Sequence, residues 1–121
     1  MNASTAFRLA AILGFLAVAL GAFGAHGLKD LLMRNGMLPV WEKAVFYHII
    51  HAVVLLFLAS RAPLQNVAIW LFLVGVVVFS GSLYLLAFTG IKWLGAITPV
   101  GGLCLLGGWL TLAIASARQT L

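Results

Sequence analysis

Eight polar side chains stand out against otherwise apolar surroundings: His26, Tyr47, His48, His51, Ser80, Ser82, Tyr84 and Thr98. Tyr47-His48-Ile49-Ile50-His51 places His48 and His51 three apart, on one helical face, and Tyr47 and His51 four apart and adjacent. His26, His48 and His51 together supply the ligand type that zinc and copper favour. However, no Cys, Asp or Glu stands at a matching level, and Glu42 lies too near water, so no metal and no cofactor is expected. A serine beside a histidine also suits acyl transfer. Here no carboxylate is placed to orient the imidazole, and no Gly-x-Ser-x-Gly turn occurs. The expectation is a chain without enzymatic activity. Two uses of the polar residues then stay open: hydrogen-bonded glue between helices, or the lining of a wet vestibule for a small molecule, ion or metal.

The elements that must position these groups follow from composition. The chain has 121 residues, 64% of them apolar and 7% charged, against about 45–50% and about 25% in soluble domains. So few charges cannot cover a water-facing surface, and lipid is the natural solvent. The net charge of +5 comes from seven scattered basic residues. Without a basic stripe or cluster they do not point to nucleic acid. They sit at the ends of apolar runs, where membrane anchors belong. The one cysteine, Cys104, lies inside an apolar run and reads as a small buried hydrophobe.

Four apolar runs divide residues 1–121, a single domain, into spans at about 7–26, 39–60, 66–88 and 93–115. Twenty helical residues rise roughly 30 Å, the thickness of a hydrocarbon core. The first run, with Arg8, an apolar stretch and then small residues, shares features with a secretory signal. Three further runs make a spanning segment the better fit. Gly14, Ala17 and Gly21 share a face that would admit a neighbouring helix closely. Residues 28–38 alternate Leu28, Leu31, Leu32 and Met33 with Lys29, Asp30 and Arg34, which predicts a short interfacial helix ended by Asn35-Gly36. Pro39 suits the first turn of the second span. Pro63 ends that span's helix, and Trp41 and Trp70 suit the aromatic belts. Within the fourth run, Thr98-Pro99 has two solutions. One is a continuous helix kinked at Pro99, the favoured expectation. The other is a fresh helix start capped by Thr98, after a shallow segment over residues 92–97. The fold class is therefore all-α: a polytopic bundle of four transmembrane helices with one short interfacial helix.

Alternating spans fix relative depth. All eight polar residues are expected in one polar layer, in the half of the membrane away from the termini. A charged group at mid-depth costs on the order of 2.5–3.5 kcal/mol, and a neutral imidazole still needs partners. The histidines should therefore face inward or toward a neighbouring subunit, with Ser80, Ser82, Tyr84 or Thr98 as their partners. Glycine-rich faces would also favour a homo-oligomer. The positive-inside count does not set orientation: Arg8, Arg61 and Arg118 stand against Lys29, Arg34, Lys43 and Lys92.

Five blocks, in order, carry a family resemblance: Leu20-Gly-Ala-Phe-Gly-Ala-His26, Tyr47-His-x-x-His51, Phe79-Ser-Gly-Ser-Leu-Tyr84, Thr98-Pro-Val-Gly-Gly102 and Gly108-Trp109. Over nearly the whole chain they resemble the YgdD/YwdK-type small membrane proteins. These form a domain-of-unknown-function family (number four-two-three) with relatives among small eukaryotic transmembrane proteins. The resemblance implies four transmembrane helices, the bacterial inner membrane and cytoplasmic termini. It supplies no activity. His26, His51, Tyr84 and Pro99 match the family blocks most plainly.

Overall fold

The computed structural model describes the backbone of residues 1–119 and the side chains through residue 115. Its helices are α1 (Ala3–Ala25), α2 (Lys29–Arg34), α3 (Leu38–Ala59), α4 (Asn66–Thr89) and α5 (Thr98–Gln119), with a 3₁₀ turn at Lys92–Ala96. Four segments are long and apolar enough to cross a membrane: Ala3–Ala25, Leu38–Ala59, Asn66–Thr89 and Lys92–Ala115.

Local chemistry sets the helix ends. Asn2 caps α1, its Oδ1 accepting from the Thr5 N–H at 2.8 Å. The helix thus starts one turn before the apolar run does. Gly36 (φ 67°) and Gly90 (φ 74°) adopt the left-handed conformation that closes α2 and α4. Pro39 lies in the first turn of α3, where no N–H is needed.

The helices pack in the order α1, α3, α4, α5. The two outer helices bury less of themselves than the inner pair. One apolar cluster joins Ala6 and Ala10 of α1, Leu55 and Leu58 of α3, Ile69, Phe72 and Val76 of α4, and Leu105 of α5. A second gathers Leu32 of α2, Trp41 of α3 and Ala87 of α4, so Leu32 tucks the short helix under the ends of its neighbours.

Glycines permit the close approaches. A Cβ at Gly75 would lie 2.6 Å from Leu105 Cδ2, and one at Gly108 would lie 2.7 Å from the Phe72 ring. At Gly101 a Cβ would fall on the Phe79 backbone, and at Gly24 on the Trp41 indole. Helix faces expected to recruit a second copy are thus largely filled within the chain. Of the face shared by Gly14, Ala17 and Gly21, Ala17 is buried and Gly21 sits against Val45, while Gly14 opens on free space, as does Gly81 on α4.

The kinked fourth helix is corrected. Residues 92–96 form a 3₁₀ turn, Ile97 follows, and α5 begins at Thr98 with Pro99 in its first turn. In the interior of a continuous helix Pro99 would clash with the carbonyl four residues before it. A fresh start at Thr98 avoids that. Thr98 directs its hydroxyl not to its own helix but to Ser82 on α4.

Candidate functional site

His51 is the centre of the polar contacts. It lies near the middle of α3 and is 5% exposed. Its Nδ1 is 2.7 Å from the Tyr47 carbonyl, one turn back. Its Nε2 accepts the Trp109 indole N–H at 3.1 Å. An indole N–H only donates and a carbonyl only accepts. The two partners therefore fix one neutral tautomer, with the proton on Nδ1 and the lone pair on Nε2. Phe72 packs against both rings, with centroids 5.5 Å from His51 and 5.3 Å from Trp109.

His48 faces the other way. Its Nδ1 lies 2.8 Å from the Tyr84 hydroxyl, and Tyr84 meets Trp41 edge-on at 4.8 Å. The ring lies against the Leu13 backbone of α1, and among the described residues the buried Nε2 makes no hydrogen bond. Three residues turn a helix by about 300°, which leaves His48 and His51 about 60° apart. That divergence is enough to aim one toward α1 and Tyr84, and the other toward α5.

The remaining groups of the expected layer pair among themselves or with backbone. Ser80 donates to the Ala44 carbonyl at 2.8 Å, joining α4 to α3. The Ser82 and Thr98 hydroxyls are 2.6 Å apart, joining α4 to α5, and Ser82 also donates to Phe79 O at 3.0 Å. Neither serine reaches a histidine. Of the four partners expected for the imidazoles, only Tyr84 serves as one. Tyr47 contributes its carbonyl rather than its hydroxyl. His26 stands apart, exposed at the C-terminal end of α1, where its backbone N–H reaches Ala22 O and Phe23 O. A single layer containing all eight residues is therefore corrected to four separate interhelical contacts. Among the described residues, no three His, Cys, Asp or Glu side chains converge.

Two indoles make hydrogen bonds that the expected polar layer did not include. Trp109 holds His51, and Trp41 donates to Leu20 O of α1 at 2.9 Å. The available signal was chemical: an indole N–H inside an apolar run needs an acceptor. Beside His51 and Trp109 a groove of about 540 Å³ opens sideways, lined by Tyr47, Phe79, Pro99, Gly102 and leucines of α5.

Residues 20–102 match the family described as "Protein of unknown function (DUF423)". The chain belongs to this family. Its DUF423 relatives include a UPF0382 membrane protein of Staphylococcus haemolyticus, 46% identical over 114 residues, covering 91% of this chain and 93% of that protein. The UPF0382 membrane protein YwdK of Bacillus subtilis is 44% identical over 116 residues, with 91% of this chain and 94% of that protein covered. A further UPF0382 membrane protein, from Staphylococcus epidermidis, is 44% identical over 114 residues, with 91% and 93% covered. No solved structure matches the chain. This DUF423 member is an integral membrane protein of four apolar helices, and its family description names no specific molecular function.

Proposed function

We propose that the protein is a non-catalytic structural or accessory component of the bacterial inner membrane, with both termini on the cytoplasmic side. The observation that carries this reading is the engagement of His51. Both ring nitrogens are consumed by partners of opposite polarity on two helices. A base or a metal ligand would need the Nε2 lone pair, which already holds α5 through Trp109. The same economy extends outward, with Ser80 tying α4 to α3 and the Ser82–Thr98 pair tying α4 to α5. Interhelical bonds of this kind contribute about 0.6–2 kcal/mol each in membranes.

A second reading, a binding protein for a small molecule, ion or metal, has one supporting observation: the 540 Å³ groove beside His51 and Trp109. The two are separated by elemental analysis and native mass spectrometry of purified wild type and His51→Ala. The structural reading expects an empty wild type, and a variant that loses stability or assembly. A stoichiometric species present in wild type and absent from a folded His51→Ala would overturn it.

A further inference from the structure

The chain's two acidic residues, Asp30 and Glu42, both stand at the end away from the termini. At the other end Arg61, in the α3–α4 turn, and Arg8, in the second turn of α1, have no carboxylate side chain of this chain within reach. Arg61 is not simply extended into water. Its guanidinium carbon sits 5.3 Å from the centroid of the Phe57 ring, one turn back on α3, an arrangement that holds a cation by its attraction to the ring face. There it borders a cleft of about 500 Å³ between the α3–α4 turn and the last described turns of α5. The cleft has two kinds of wall: Arg61 and Gln65 on the polar side, Phe57, Leu58 and Leu112 on the apolar side. The Gln65 amide makes no hydrogen bond among the described residues and does not cap α4.

We propose that this cleft binds an anionic phospholipid. The headgroup phosphate is received by Arg61 and Gln65, and the start of an acyl chain lies along Phe57, Leu58 and Leu112. Charge decides the occupant. A guanidinium at the membrane boundary with no carboxylate side chain at its end of the bundle is free to take an external anion, and a planar guanidinium offers paired donors to phosphate oxygens. The apolar wall decides the source. A free phosphate or an acidic peptide would leave Phe57 and Leu112 uncovered, whereas a lipid covers both walls in one molecule.

The test uses the full chain in nanodiscs of phosphatidylcholine with phosphatidylglycerol as the minor lipid, released into the mass spectrometer and scored for retained lipid. Wild type should hold one phosphatidylglycerol in preference to phosphatidylcholine. Arg61→Gln should lower that retention on the order of fivefold, the factor one basic residue supplies at an anionic surface. Leu112→Phe, which keeps the charge and fills the apolar wall, should lower it as well. Arg8→Gln removes the same charge from the same end and should leave retention unchanged. Equal retention of the two lipids, unchanged retention in Arg61→Gln, or an equal loss in Arg8→Gln would overturn the proposal. So would displacement of phosphatidylglycerol by millimolar inorganic phosphate, which would assign the site to the free anion.

Discussion

Gly101 and Gly102 are neighbours on α5, yet the packing assigns them opposite responses to the same substitution. An alanine Cβ at Gly101 would meet Phe79 of α4 at its backbone N, with Cα at 2.7 Å and Cβ at 2.9 Å. Carbon atoms prefer about 3.5–4.0 Å, so α5 would have to retreat by roughly 1 Å. The obstacle is largely backbone and cannot rotate away. The cost therefore belongs near the top of the overpacking range of about 1–3 kcal/mol. Alanine's better helix propensity returns about 1 kcal/mol, leaving Gly101→Ala destabilised by about 2 kcal/mol. At Gly102 the nearest atom is the Phe79 ring at 3.7 Å, an ordinary contact. Gly102→Ala should keep the propensity gain of about 1 kcal/mol. The pair should differ by about 3 kcal/mol, more than a hundredfold in the unfolding equilibrium. Titration of both variants with a denaturing detergent in mixed micelles, followed by helical circular dichroism, reads this directly. If the two variants agree within about 0.5 kcal/mol, or if Gly102→Ala is the weaker, the close α4–α5 approach is wrong.

Three further expectations follow the same logic. Gly24→Ala would drive a Cβ into the Trp41 indole and break its bond to Leu20 O. It should lose about 1–3 kcal/mol with a shift in tryptophan emission, while Gly14→Ala, which meets open space, should be neutral or slightly stabilised in the same assay. The Ser82–Thr98 pair should respond asymmetrically, because Ser82 also bonds Phe79 O. Ser82→Ala orphans the Thr98 hydroxyl and should cost about 1 kcal/mol, Thr98→Val less, and the double variant no more than Ser82→Ala alone. A double-mutant cycle of His51→Leu and Trp109→Phe should return a coupling of about 0.6–1.7 kcal/mol, and a value near zero would remove the α3–α5 tie.

The sequence exposed the helices better than their contacts. Apolar run length located the four spans, because a helix must match the hydrocarbon thickness whatever it packs against. Asn35-Gly36 announced the end of α2, because left-handed backbone is a local demand. Contacts are a different matter. Residues at one depth still differ in rotation about the helix axis. His48 and His51 share a level and still point at different helices. Trp109 was named only within the Gly108-Trp109 block, because nothing in local spacing sets it opposite His51, 58 residues earlier. His26 carried its weight as part of a motif, and nothing local shows that the chain turns its side chain outward after Ala25.

The packing order α1, α3, α4, α5 has a consequence for biogenesis. It repeats the order in which the segments are synthesised. Each helix arriving in the bilayer finds its main partner already there. Such short-range topology carries little loop-closure cost and suits assembly from the N-terminus onward. The last segment to arrive is α5, whose glycines dock on an α4 face already presented by Phe72, Gly75 and Phe79. The bundle can thus be laid down vectorially, one hairpin at a time.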